Sequence, residues 1–195
     1  PSGYYFEWSG QSEYLESAME KLIYIIPLTF MIIFVLIYLA LKNMTYTLII
    51  FFTLPFALSG GIIYLDYLNF NISIAVVVGF LALLGVAAET SIVMLVYLNE
   101  AMIELKQSCL NITKEDIAKA IYKGAVLRLR PKLMTLFTIL GGLIPIMYIE
   151  GVGSEVMQRI AAPIIGGMVT STFLTLIIIP AIFYIISIKN NSSTH

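Results

Sequence analysis

"ISIAVVVGFLALLGVAAETSIVMLVYL", residues 72–98, is an apolar run whose only charged side chain is Glu89. The hydrocarbon core of a bilayer is ~30 Å thick and needs about 20 apolar residues of helix to cross it. A charged side chain at the centre of such a span costs about 2.5–3.5 kcal/mol or more on insertion scales. The run therefore predicts a membrane-spanning helix in which the carboxylate serves a purpose that offsets this cost.

The rest of the chain is built in the same way. It has 195 residues, of which 59% are hydrophobic and 12% charged, whereas soluble domains carry about 25% charged residues. Runs long enough to span a bilayer lie at about 22–41, 47–65, 72–98, 133–149 and 160–188. We therefore predict an all-α membrane protein, a polytopic bundle of five transmembrane helices that occupies residues 22–189.

Lysine and arginine are unevenly divided between the connecting segments. Seven of them lie between the third and fourth runs, and Lys42 and Lys189 follow the first and fifth runs. Lys and Arg accumulate in short loops on the cytoplasmic side of a membrane. We therefore expect the N-terminal segment to be outside the cell membrane and the C-terminus, including the tail 190–195, to be inside.

Two segments lie outside the predicted spans. Residues 1–21 begin with the alternating "GYYFEWSG", which is typical of a strand, and continue as a helix into the first span. Residues 113–126 place Ile117, Ala120, Ile121 and Ala125 on one helical face, with Thr113 as the N-cap. We expect this second segment to be an amphipathic helix lying along the cytoplasmic leaflet.

Glu89 is the first candidate site residue. It lies about nine residues from the end of its run, or about 14 Å deep at 1.5 Å per residue. Ionisable residues inside membrane spans often mark ion or proton pathways. The alternative is a purely structural carboxylate that hydrogen-bonds to neighbouring helices. The surrounding run has small residues and few polar ones, which favours the proton site.

Lys132 is the second candidate, in "LRLRPKLMT" at the cytoplasmic mouth of the fourth span. In one interpretation it extends its ammonium to the membrane surface and, with Arg128 and Arg130, only sets the orientation. In the other, its side chain points inward toward Glu89. Thr135, one helical turn further on, would then relay a proton between the two.

Several kinds of chemistry are excluded or unsupported. The single cysteine and single histidine cannot form a disulfide framework or a Cys/His metal cage within the chain. There is no G-x-x-x-x-G-K phosphate-binding motif and no Ser/His/Asp or Cys/His set. The net charge of −1 gives no indication of nucleic-acid binding. We therefore expect a proton-coupled transporter, not an enzyme, with no tightly bound cofactor.

The chain has nine methionines. Thioethers are soft ligands that suit Cu(I), but methionine is also an adaptable filler of apolar cores. For most of the nine we expect the second role. Met157 differs because it follows the turn "EGVGSE" at the outer mouth of the fifth span, where filler is less needed.

Five motifs together resemble one family. They are "GYYFEWSGQSEYLESA", "LPFALSGG", "GVAAETSIVMLVYL", "RLRPKLMT" and "GVGSEVMQRIAAPIIGGM". The chain is similar to the end of the heavy-metal efflux branch of the RND (resistance–nodulation–division) pumps. The combination of Glu89 with Lys132 resembles the copper/silver type of that branch. Divalent-cation pumps usually have no acidic residue at the position of Glu89, and multidrug relatives carry a lysine at that position.

The resemblance implies a function and a set of roles. Glu89 and Lys132 would belong to a proton relay, which Thr135 could assist from its position one turn further on, and Met157 would contact transported Cu(I) or Ag(I). Residues 1–21 would be the end of a periplasmic porter domain and its linker helix. The pump would lie in the bacterial inner membrane as a homotrimer with a periplasmic adaptor and an outer-membrane channel.

The resemblance also implies an incomplete machine. This chain would supply the last five spans and would lack the relay carboxylate of the first half, so it could not pump alone. Two alternatives remain open at this point. One is a pump of the same fold for divalent metal ions or organic compounds. The other is a membrane fragment without a transport role.

Overall fold

The computed structural model describes residues 11–108 and 113–192, and these are almost entirely helical. The helices are α1 (Gln11–Leu41), α2 (Met44–Tyr67), α3 (Ile74–Ser108), α4 (Lys114–Leu143), α5 (Ser154–Phe173) and α6 (Ile179–Ser192). A 3₁₀ turn, Pro145–Tyr148, follows α4, and a π-helical turn, Leu174–Ile178, joins α5 to α6 without a break.

Five helical stretches are long and apolar enough to cross a membrane. They are Ser17–Leu41, Met44–Tyr67, Ile74–Gln107, Lys114–Tyr148 and Ser154–Ile188. The predicted all-α bundle of five transmembrane helices is therefore confirmed. The strand predicted within "GYYFEWSG" lies outside the described residues.

The segment 113–126 differs from its prediction. The separate amphipathic helix expected at 113–126 is the first part of α4, which continues through Pro131 to Leu143. Thr113 is its N-cap, as predicted, in a capping box with Asp116. The apolar face that includes Ile117 and Ile121 is buried in the main core. It therefore packs on protein, and not on the lipid leaflet as expected.

The partner of that face is an extension of α3. The helix continues beyond the predicted end at residue 98 to Ser108, and it packs along the start of α4. Gly124 allows the approach, since a Cβ there would lie 3.1 Å from the Tyr97 carbonyl oxygen. Lys123 and Glu104 add an exposed ion pair of 2.8 Å, an interaction that contributes little on a surface. Because the added residues of α3 and α4 are buried against each other, α3 ends later and α4 begins earlier than the apolar runs predict.

The centre of the bundle is α3, which packs against α1, α2, α4, α5 and α6. Its buried residues Leu84, Ala87, Met94 and Leu98 belong to the main core. Glu89 lies at the middle of this helix, on a face that is exposed in the structure.

A seam of small residues, which includes Gly60, Gly166 and Thr170, joins α2 to α5. A Cβ built on Gly166 would lie 2.5 Å from Tyr64 Cβ and closer still to the Gly60 carbonyl oxygen. Thr170 Oγ1 donates a 3.0 Å hydrogen bond across the seam to the Ala57 carbonyl. Close approach through small residues, with a polar side chain bonding across the contact, is how membrane helices associate. The seam fixes α5, and with it the π-helical turn, against α2.

We expect Gly166→Ala to destabilise the bundle by about 1–3 kcal/mol, the scale of overpacking a close contact. Gly85→Ala is the matched control, because no atom lies within 4 Å of a Cβ built there. Thermal unfolding in detergent should show a lower midpoint for the first variant and an unchanged or higher one for the second. Equal midpoints would contradict the close packing of the seam.

Candidate functional site

Glu89 and Lys132 line the same pocket, of about 170 Å³, between α3, α4 and the π-helical turn. The helices bring them together although they are far apart in sequence. Thr135 also contributes to this wall. The three residues predicted as a proton relay are therefore brought to one place. The complete lining is Val86, Glu89, Thr90, Val93, Met94, Arg128, Pro131, Lys132, Thr135, Ile139 and Thr175.

Lys132 is the buried member of the pair. Its side chain is 7% exposed, and its Nζ has no hydrogen-bond partner among the described residues. A lysine that only reached for the membrane surface would have an exposed ammonium. The inward-pointing orientation is therefore the one present in the structure.

Two charged groups act on the Lys132 ammonium. Glu89 on α3 attracts it, and Arg128, one turn earlier on α4, repels it. The Lys132 Nζ and the Glu89 carboxylate oxygens are more than 4.0 Å apart, which is the limit for an ion pair. Within the described part of the chain, the ion pair that is present joins Lys123 to Glu104. The pair therefore interacts across the pocket, not by direct contact.

Glu89 lies at the open side of the pocket. It is exposed in the structure, and the neighbouring Gly85 has no atom within 4 Å of a Cβ built on it. Thr90, next to Glu89, donates its hydroxyl hydrogen to the carbonyls of Val86 and Ala87 at 3.0 and 3.1 Å. The carboxylate is thus accessible from one side while Lys132 closes the other.

Thr135 is exposed, and its hydroxyl donates a 3.1 Å hydrogen bond to the Pro131 carbonyl. Its position one turn after Lys132 agrees with the geometry expected from the sequence. The hydroxyl oxygen keeps lone pairs that can accept a further hydrogen bond. Its part in a relay remains a prediction.

Sequence reasoning missed three polar residues of the pocket. From its sequence position Arg128 was expected only to set the membrane orientation. In the structure it lines the pocket, and its guanidinium lies 4.8 Å from the centre of the Tyr97 ring. Thr90, next to Glu89, was not a candidate site residue. Thr175 reaches the pocket from the π-helical turn. The one available signal for that turn is Pro180, which has no N–H to continue a regular helix.

Met157 lies elsewhere. It is on the first turn of α5, is 58% exposed, and does not line the pocket. Gly153 before it has φ 84°, in the left-handed region that favours glycine, and this turn brings α5 back into the bundle. Met94 and Met168, by contrast, are fully buried packing residues. A role for Met157 toward a metal ion would thus be separate from the pocket.

These features define a polytopic α-helical membrane protein with an ionisable pair in a pocket between its spans. The chain belongs to the AcrB/AcrD/AcrF family, whose profile matches residues 1–187. This assignment confirms the family-level resemblance drawn from the motifs.

Several relatives are similar over almost the whole chain. The putative cation efflux system protein SilA of Salmonella typhimurium is 49% identical over 190 residues, which are 96% of this chain and 18% of that protein. The cation efflux system protein CusA of Escherichia coli (strain K12) is 51% identical over 179 residues, 90% of this chain and 17% of that protein. The cobalt-zinc-cadmium resistance protein CzcA of Cupriavidus metallidurans is 36% identical over 183 residues, 94% of this chain and 16% of that protein.

The fold is also similar to a solved structure. A crystal structure of a heavy metal efflux pump superposes with a TM-score of 0.76 at 32% identity, covering 94% of this chain and 18% of that one. The chain therefore spans less than a fifth of the length of these relatives.

Proposed function

We propose that this chain is the C-terminal membrane part of a proton-driven efflux pump that exports Cu(I) or Ag(I). The observation that carries the proposal is the shared pocket of Glu89 and Lys132, inside helices long enough to span a membrane. Intramembrane acid–base pairs of this kind are typical of proton pathways. The names of the relatives, which are cation efflux and metal resistance proteins, support the same class.

The proposed relay moves one proton at a time. A protonated Glu89 gives its proton to the neutral amine of Lys132, which leaves a carboxylate and an ammonium. Release of that proton toward the cytoplasm and reprotonation of Glu89 from outside restore both groups. Thr135 assists as a hydroxyl that can accept and donate. The accessible carboxylate and the buried lysine, which line one pocket, support an exchange of protons between these two groups.

The choice of a monovalent cation rests on two observations. Glu89 and Lys132 occur together, as the motif resemblance implies for the copper/silver type. The identity of 51% to CusA and 49% to SilA also exceeds the 36% to the cobalt-zinc-cadmium protein. In the proposal the metal ion is cargo, passed between methionine thioethers, with Met157 as a contact at the outer mouth.

We further propose the setting implied by the family resemblance. The pump lies in the bacterial inner membrane, with residues 1–21 periplasmic and the C-terminus cytoplasmic. It works as a homotrimer with a periplasmic adaptor and an outer-membrane channel. It transports and does not catalyse a chemical conversion, and it needs no tightly bound cofactor.

Resistance profiling of the full-length pump tests the proposal. In a host without its own copper and silver efflux, we expect protection against silver and copper salts and none against zinc, cobalt or dyes. Protection only against zinc or cobalt would favour a divalent-ion pump, and protection only against dyes would favour an organic substrate. No protection by a full-length protein that reaches the membrane in normal amount would refute the proposed transport function.

Met157→Leu tests the metal contact. We expect silver export by the full-length pump to fall about tenfold or more, the scale on which a metal site loses affinity when its coordination is disturbed. Met31→Leu is the matched control, since Met31 is also exposed but lies on α1. Equal amounts of both variants in the membrane would exclude a folding defect. Unimpaired export by Met157→Leu would assign Met157 to packing.

A further inference from the structure

We propose that Thr175 is a positioning residue that holds water against Lys132 in the pocket. The inference rests on the proposed proton relay and adds a residue from the fifth span to it. Thr175 is the residue that α5, the π-helical turn and α6 contribute to the pocket lining. It is 2% exposed.

Thr175 lies within the π-helical turn and lines the pocket from there. At the end of Leu174–Ile178 the Ile179 N–H donates to the Leu174 carbonyl, five residues back, where an α-helix would bond four residues back. Each residue of an α-helix turns the chain by about 100°, so one extra residue in a turn re-aims the side chains on it. Pro180, which follows, cannot donate to the carbonyl four residues earlier. π-Helical turns are often found at functional sites.

The hydroxyl of Thr175 has its hydrogen engaged and its acceptor capacity free. Its hydrogen is donated to the Ser171 carbonyl at 2.7 Å, so the oxygen retains lone pairs for the pocket. The Lys132 ammonium has three donors and no acceptor, and its Nζ lacks a hydrogen-bond partner in the described parts of the chain. Donor and acceptor thus line one pocket without a direct hydrogen bond between them.

Water fits the space between these groups. About 170 Å³ leaves room for several water molecules, and buried water needs two to four polar partners. Those partners are Lys132, Thr175, Thr90 and the Glu89 carboxylate, all on the pocket wall. The charged groups facing Lys132 are Glu89 from α3 and Arg128 from α4. The fifth span adds a neutral acceptor, which can fix a water molecule without adding charge.

Thr172 provides a matched comparison. It is also buried, at 5% exposed, and its hydroxyl donates to a carbonyl four residues back, Met168, at 2.8 Å. It does not line the pocket. The two threonines therefore share their local chemistry and differ in whether they line the pocket that contains Lys132.

The test is metal-driven proton exchange by the full-length pump in proteoliposomes, measured with silver ions over a range of pH. We expect Thr175→Val to lower the rate about tenfold, the scale of one lost water-mediated hydrogen bond, and to displace the pH profile. Thr175→Ser should stay within about twofold of the unmodified pump, because it keeps the hydroxyl. Thr172→Val should match the unmodified pump in rate and profile. If Thr175→Val does not reach the membrane, Thr175→Ala replaces it with the same expectation.

Three results would overturn the inference: an unchanged rate and profile for Thr175→Val, no recovery with Thr175→Ser, or an equal loss with Thr172→Val. Glu89→Gln and Lys132→Met are measured beside them. Normal exchange by those two variants would refute the proposed function, and the role of Thr175 with it. If they fail while Thr175→Val behaves like the unmodified pump, the relay stands and only the role of Thr175 is refuted.

Discussion

Glu89→Gln in the full-length pump is expected to reduce copper and silver resistance to that of a host without the pump. The amide keeps the size of the side chain and its capacity for hydrogen bonding but cannot take up and release a proton. Loss of a positioned proton-transfer group typically costs about 10²-fold or more in rate. Metal export measured in proteoliposomes should fall accordingly, while the amount of protein in the membrane stays the same.

Glu100→Gln is the matched control for this variant. Glu100 lies on the same helix, is exposed, and is not part of the pocket. It should leave resistance unchanged. Unchanged resistance for Glu89→Gln at normal expression would refute the relay role and favour a carboxylate that only joins helices.

Lys132→Met is expected to have an effect of similar size. Methionine fills the space of the lysine stem, so the buried position stays packed while the ammonium is removed. Removal of an unpartnered buried charge also relieves a desolvation cost. We therefore expect the variant to be at least as stable as the unmodified pump, and yet to lose about 10²-fold in metal-driven proton movement. The rate of proton movement should therefore fall, whereas the midpoint of thermal unfolding should stay the same or rise.

Lys123→Met separates this effect from a general loss of positive charge. Lys123 is on the same helix, but it is exposed and paired with Glu104 at the surface. Resistance and proton movement should be unaffected. A Lys132→Met pump that moved protons normally would show that Lys132 serves orientation alone, which is the alternative left open by the sequence.

The membrane spans could be predicted because lipid imposes a strong and simple constraint. An uncharged apolar run of about 20 residues is rare outside membrane helices, and each of the five runs became a helix. The ends of α3 and α4 could not be predicted in the same way. They depend on the contact of the face that carries Ile117 with the extension of α3, and one helix's sequence does not show which partner its apolar face will find.

The candidate site was predictable in part for a related reason. Glu89 is conspicuous in an apolar run, and Lys132 was a candidate because of its place at the mouth of the fourth span. Their meeting in one pocket depends on the packing of α3 against α4. The sequence does not indicate Thr175 as a site residue, because a threonine in a membrane helix usually hydrogen-bonds to its own backbone. Its place in the pocket follows from a π-helical turn, which local residue preferences do not reveal.

The continuity of α4 has a mechanical consequence. From Lys114 to Lys132 the helix is uninterrupted, a distance of about 27 Å at 1.5 Å per residue. Such a helix behaves as a stiff rod, so a rotation applied at its N-terminal end turns the ammonium of Lys132 relative to the carboxylate of Glu89 on α3. A contact made near Lys114 is thereby coupled mechanically to the distance between Lys132 and Glu89.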